Sequence, residues 1–320
     1  MTESAHPRES LAPNPLPLDS TAQMLTRITA QLGAQLSHVQ LNGVRRPMSS
    51  SSLSSAAAGD PFTARAATPG PADAGPVLVA VAHGSRDPRA LRTVIRLLDR
   101  VRELRPAADV RLGHIELDEP LLPDTLAGLC GREAVLVPLL LGRGFHVKHD
   151  IPAAVAAVPG LRARIAPPLG PHPLLVEALH DRLVEAGWCG PEDGGRGAGV
   201  VLAAAGSRDP ASSADARSTA AMLAERLGGV PVLPAYASAA SPTVPEALRA
   251  LAARGRHRVA LASYFTAPGR FATASRSAAP WVAAAPLGAH PALARLVLQR
   301  YDEARQAPYA PTDPRRLVTV

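Results

Sequence analysis

From Val77 onward the chain alternates short apolar runs with longer stretches in which apolar side chains recur every three or four positions. Residues 77–82 (Val-Leu-Val-Ala-Val-Ala) are uniformly apolar and short, the pattern of a strand covered on both faces. After a polar turn, Leu91, Ile95, Leu98, Val101 and Leu104 fall on one helical face. A second strand is predicted over 109–117, and Pro120 and Pro123 open a helix reaching about Gly128. A third strand spans 134–141. It leads into a loop with Gly142 and Gly144 and a helix beginning near Asp150 and Pro152. Asp150 has the character of an N-cap, and Pro152 suits a first helical turn. A last strand, 162–167, passes through Pro168-Leu-Gly-Pro-His172-Pro173 into a helix over 174–186. Alternating β and α units with buried apolar strands predict a parallel sheet covered by helices on both faces.

The pattern then repeats. Strands are predicted over 200–205, 230–237 and 257–264, with helices over 213–227, 243–254 and 271–281. The turn after the first strand, His83-Gly-Ser-Arg-Asp-Pro88, returns 122 residues later as Ala205-Gly-Ser-Arg-Asp-Pro210. Pro286-Leu-Gly-Ala-His290-Pro291 echoes Pro168-Leu-Gly-Pro-His172-Pro173 in the same order. Two echoes in register predict two copies of one α/β domain, each a doubly wound parallel sheet. The first domain covers 75–187, a glycine-rich linker 188–199, the second domain 200–306 and a tail 307–320. Residues 1–74 are rich in Ser, Ala and Pro, and are expected to be a mostly disordered extension. Within them Leu25, Ile28, Leu32, Leu36 and Val39 permit a short amphipathic helix.

Composition narrows the function classes. The net charge is +7, and all but one of the 34 basic residues are arginine, the exception being Lys148. Because charges in 1–74 nearly cancel, the excess belongs to the folded part and suits an anionic ligand. With aromatics at 3% and no basic run interleaved with them, nucleic acid is not an expected partner. Cys130 and Cys189 are too few for a cysteine zinc site or a four-thiolate cluster, and fit a reducing, cytoplasmic setting. No signal peptide or membrane-length apolar run is read, so no membrane partner is expected. No phosphate-binding glycine loop is present either.

In open parallel sheets, ligands bind beyond the carboxyl ends of the strands. His83 ends the first strand, Glu116 the second, and His146 lies in the loop after the third. Two imidazoles and a carboxylate on one rim could hold a borderline divalent metal or accept protons near neutral pH. Each has a bland alternative, a cap for His83 and a solvated acidic turn with Asp118 and Glu119 for Glu116. His149 reads as structural or supporting, and His172, matched by His290, as structural, capping the last helix. The second copy is an internal control. It has Ala205 opposite His83, Ser238 opposite Glu116, and no histidine in Ala267-Pro-Gly-Arg270-Phe271, yet it keeps the Gly-Ser-Arg-Asp-Pro turn. What the fold needs belongs in both copies, and what the chemistry needs can belong in one.

His83-Gly-Ser-Arg-Asp, Gly144-Phe-His146-Val-x-x-Asp-Ile-Pro152 and Pro168-Leu-Gly-x-His172-Pro together resemble the sirohydrochlorin chelatase family, the class II, ATP-independent tetrapyrrole chelatases. The resemblance covers about 77–306. It implies insertion of Co2+ or Fe2+, the metal substrate, into sirohydrochlorin held between the domains, with no organic cofactor. It implies that His83 and His146 are catalytic and bind metal, joined by Glu116 at the metal. Ser85, Arg86, Arg143, Gly144 and Phe145 would bind substrate, and Arg86, Arg143, Arg208 and Arg270 could anchor its carboxylates. A chain with an internal repeat can act as a monomer. The alternatives are a non-catalytic tetrapyrrole or metal carrier and, against the missing signal peptide, a periplasmic-type small-molecule binder.

Overall fold

β1 (Val77–Ala82) is buried at every position and lies in the middle of its sheet. The computed structural model describes residues 75–190, 197–279 and 281–307. The N-terminal extension with its candidate helix, half of the linker (191–196) and all but the first residue of the tail lie outside the described residues. β1 pairs in parallel with β2 (Val110–His114) on one side and β3 (Glu133–Pro138) on the other, and β4 (Arg162–Ile165) lies beyond β3. All four strands are shorter than or equal to their predicted spans, because the chain turns out of the sheet before the apolar runs end.

α1 (Pro88–Leu104) starts on Asp87, whose carboxylate accepts from the Arg89 amide. This fixed start sets the phase of the helix. Its buried stripe is Ala90, Val94, Leu97, Leu98 and Val101, while Ile95 and Leu104 of the predicted face are exposed. α2 (Leu122–Ala127) follows β2. After β3 the structure corrects one local expectation. Asp150 is not an N-cap: it has helical backbone angles and ends a π-helical turn, His146–Asp150, which runs on into α3 (Ile151–Ala156). Pro152 does sit in the first turn of α3. α4 (Pro173–Glu185) closes the first half.

In the second half β5 (Ala198–Ala204) is flanked by β6 (Val232–Tyr236) and β7 (Arg258–Tyr264), again all parallel. A single bridge, Leu261 to Ala283, stands where β4 stands in the first half. The helices are α5 (Pro210–Arg226), α6 (Val244–Ala252), α7 (Arg270–Ser277) and α8 (Pro291–Gln306). The last helices are exchanged: α8 packs on α1, α4 and β3 of the first half, and α4 packs on α5 and β7 of the second. One hydrophobic core therefore runs through both halves, from Leu78, Val135 and Leu179 to Leu202, Leu223 and Val297. Burial shared in this way ties the sheets into one body.

The exchanged helices begin alike. His172 Nδ1 accepts from the Leu174 amide at 3.1 Å, and His290 Nδ1 accepts from the Ala292 amide at 3.2 Å. The expected capping role of His172 holds, and its partner in the repeat shares it. An imidazole that accepts through Nδ1 must be neutral. Burial, reinforced by Arg300 near His172 and Arg182 near His290, pushes both pKa values down. The unfolded chain then binds more protons than the native one, so stability rises with pH through this range. The contribution is complete above the ordinary histidine pKa of about 6.5 and is lost as pH falls through the lowered native values. Thermal unfolding measured from pH 7.5 to 5 should therefore drop less steeply in His172→Asn/His290→Asn, which keeps a side-chain cap that does not titrate. Equal slopes for variant and wild type would refute this account. His290→Ala alone is expected to cost about 1 kcal/mol of stability, the usual worth of a cap.

Candidate functional site

Because β1 lies between β2 and β3, its carboxyl end is flanked by the residues that leave those two strands. The ladder continues one step past β1: the Ile115 amide donates to Ala82 O, and the Glu116 amide to His83 O at 3.0 Å. Backbone register thus sets Glu116 beside His83, and Glu116 Oε1 lies 3.5 Å from His83 Nε2. From the other side the loop after β3 delivers His146, whose ring stands edge-on to His83 with centroids 4.7 Å apart. In the second half the Ser238 amide meets Ala205 O at 3.0 Å, so the same register there joins residues with neither imidazole nor carboxylate.

The repeated turn explains its own retention. Ser85 Oγ accepts from the Asp87 amide, and Asp87 accepts from the Arg89 amide, closing strand onto helix. Ser207 and Asp209 make the same bonds to the Asp209 and Ala211 amides. Hydrogen bonding by the Arg89 side chain holds the Asp87 carboxyl down at about 2. Gly84 and Gly206 carry φ of 97° and 91°, and each lies against a carbonyl of the neighbouring strand end. In the first copy an aspartate also supports the turn: the Ser85 amide donates to Asp118 Oδ2 at 2.9 Å.

His146 opens the π-helical turn, a feature that recurs at functional sites. Its Nδ1 lies 2.5 Å from Asp150 Oδ2 across that turn. With Asp150 accepting from Nδ1–H, Nε2 is left with its lone pair for a ligand or a proton. Phe145 is exposed and stacks on His149, ring centroids 4.6 Å apart.

His83, Glu116 and His146 open on a cleft of about 1280 Å³ between the halves. That is larger than the roughly 300–1,000 Å³ of drug-sized ligand sites. Its walls are largely apolar, with Val94 and Leu139 from the first half and Phe265 and Phe271 from the second. Of the residues singled out in the sequence, Ser85, Arg86, Gly144, Phe145 and Arg270 line it. Both polar groups of Ser85 take part in its turn: Oγ accepts from the Asp87 amide and the Ser85 amide donates to Asp118. Arg143 and Arg208 are not among the lining residues, and the Arg143 guanidinium is taken up by Asp215 of the second half. Arg143 is better read as a contact between halves than as a ligand anchor. Among the described residues, no three His, Cys, Asp or Glu side chains are set to enclose an ion. The expected metal set is a shared rim, not a closed cage.

Sequence reasoning missed Asp150 as the partner of His146 and read it as a cap. The signal was there, since residues four apart face each other along a helix. The apolar wall from the second half carried no motif.

The sequence profile of the CbiX family matches this chain twice, over residues 77–186 and 199–304. The chain is 29% identical over 174 residues to the sirohydrochlorin ferrochelatase of Bacillus subtilis, covering 52% of this chain and 64% of that protein. It thus spans just under two thirds of that relative's length. It is 27% identical over 123 residues to the sirohydrochlorin cobaltochelatase of Methanosarcina acetivorans, covering 34% of this chain and 95% of that one. The structure of SirB from Bacillus subtilis with Fe3+ shares the fold. Its TM-score is 0.60 at 24% identity, over 72% of this chain and 96% of SirB. Among the described residues no helix is long and apolar enough to cross a membrane.

Proposed function

Because this chain belongs to the CbiX family, we propose that it inserts a divalent metal, Co2+ or Fe2+, into sirohydrochlorin. One observation carries the reading. The two unrepeated imidazoles and the unrepeated carboxylate meet on one rim of a cleft large enough for a macrocycle.

Insertion requires the ion to shed part of its water, two pyrrole N–H protons to leave, and the ring nitrogens to take over as ligands. His83 and His146 meet the incoming ion through Nε2, with Glu116 adding charge beside His83. As the ion passes to the ring nitrogens the imidazoles are freed and take up the two pyrrole protons. Atoms and charge balance: one dication enters and two protons leave. An open rim suits this, because a metal that is substrate must be released, and a closed site would retain it. The apolar walls receive the ring faces, and Arg86 and Arg270 stand in the lining where carboxylates of the macrocycle can be paired. In this reading the protein acts in the cytoplasm as a monomer, its two halves forming both walls of the cleft, with no organic cofactor.

The test is metallation of sirohydrochlorin followed spectroscopically with purified protein and Co2+ or Fe2+ in separate runs. Acceleration over the protein-free rate is expected with at least one ion. Tight binding of sirohydrochlorin without acceleration would overturn the enzyme in favour of a carrier.

A further inference from the structure

We infer that the second half of the chain holds the His146 loop in its working position through two carboxylates, Asp209 and Asp215. The inference rests on the function proposed above and adds positioning residues to it. Contacts from the second half bracket His146 on both sides. Before it, Tyr264 Oη donates to Leu141 O at 2.9 Å, and the Arg143 amide donates to Asp215 Oδ2 at 2.8 Å. The Arg143 guanidinium grips the same carboxylate, with Nη2 2.6 Å from Oδ1. After it, Lys148 Nζ lies 2.5 Å from Asp209 Oδ2. None of Arg143, Lys148, Asp209 and Asp215 is among the cleft-lining residues, so these groups reach a ligand only through His146 and its loop.

The repeat shows what is special about this arrangement. Asp209 and Asp87 are equivalent caps, but Asp87 is occupied by the Arg89 guanidinium at 2.6 Å. The counterpart of Arg89 is Ala211, which leaves the outer oxygen of Asp209 to Lys148. The counterpart of Asp215 is Thr93, an exposed-side hydroxyl bonded within its own helix to Arg89 O. Asp215 is instead 2% exposed on its side chain, a desolvated carboxylate with a bidentate guanidinium and a backbone amide on it. Such a pair is directional, and removing one partner leaves a buried charge. The only lysine of the chain and a buried aspartate thus serve one loop. Among the described residues the second half puts no imidazole on the rim, and what it supplies is the hold on the loop that carries His146.

Lys148→Met and Asp209→Asn separate this from a merely structural contact, since asparagine still caps α5. An exposed ion pair contributes only about 0–1 kcal/mol, so melting temperatures should barely move. Amide hydrogen exchange across 142–149 should quicken several-fold in each variant while α5 stays protected. The maximal rate of metal insertion should fall about tenfold, within the range for a catalytic group displaced by a fraction of an ångström. The KM for sirohydrochlorin should stay within about twofold, and the double variant should be no worse than either single one. Unchanged exchange in the loop overturns the inference whatever the activity. Faster exchange with an unchanged maximal rate, or losses that simply add, overturns the positioning role. A wild-type protein that inserts no metal would sink the proposed reaction instead, and the exchange data would still decide whether the second half holds the loop.

Discussion

Alanine at His83 or at His146 is expected to slow metal insertion by about 10²–10⁴-fold, the usual worth of a positioned proton acceptor. The two side chains are 43% and 35% exposed, so neither substitution opens a cavity, and melting temperatures should stay near wild type. Their rings stand edge-on with centroids 4.7 Å apart, and in the proposed mechanism they serve one transfer. The double variant should therefore lose much less than the product of the single losses, as groups acting as a unit do. The measurement is the maximal rate of sirohydrochlorin metallation for the two single variants and the double. If either single variant kept within about threefold of the wild-type rate, that histidine would not be the acceptor. His290→Ala serves as the comparator, since its imidazole caps α8 and is not among the cleft-lining residues.

Alanine at Gly84 is the largest expected loss of stability, and its match at Gly206 makes the effect interpretable. A β-carbon on Gly84 would lie 1.7 Å from Glu116 O, and one on Gly206 1.8 Å from Ser238 O. Those oxygens are main-chain atoms that accept from the Asp118 and Ala240 amides in tight turns, so they cannot swing aside as a flexible side chain would. Left-handed backbone costs a side chain roughly 1–2 kcal/mol, and overpacking typically adds about 1–3 kcal/mol. A total near 3 kcal/mol or more corresponds to a melting temperature roughly 10 °C lower for a folded body of this size. Gly131→Ala separates the two contributions. Gly131 has φ of 78° but nothing within 4 Å of its β-carbon position, so only the conformational cost remains. The activity readout divides the pair differently. Gly84→Ala pushes on the carbonyl of Glu116, beside His83, and should reduce the rate below the melting transition. Gly206→Ala pushes on Ser238, which carries no chemistry, and should leave more of it. Equal melting temperatures for Gly84→Ala and Gly131→Ala would refute the steric part.

Much of this site is legible before any coordinates. His83 and Glu116 stand at predicted strand ends and His146 in the loop after the third strand, and the repeat marks them by their absence from the second copy. The shared turn is legible for the same reason: Ser85 and Ser207, Asp87 and Asp209 make identical bonds, so both copies need them. The errors are instructive. Asp150 precedes Ile-Pro and looks like a cap, yet a π-helical turn starts four residues earlier and redirects its carboxylate to His146. Arg143 looks like a free anchor on a glycine loop, but a buried aspartate 72 residues away claims it. The predicted apolar face of α1 misses because Asp87 and Pro88 fix where the helix begins, and so which side turns inward.

The sequence by itself determined the local elements, the repeat and the asymmetry between its copies. These rest on short-range rules: apolar periodicity, turn chemistry and residue identity at matched positions. Only the tertiary structure decided the order of strands, which places β1 between β2 and β3 and so makes neighbours of residues 33 and 63 positions apart in the chain. It alone decided the exchange of α4 and α8, the fate of Arg143, and the grip of Asp209 and Asp215 on the loop that carries His146. Contacts of that kind form between elements distant in sequence, where the competition among charged partners is settled by which of them share a buried surface.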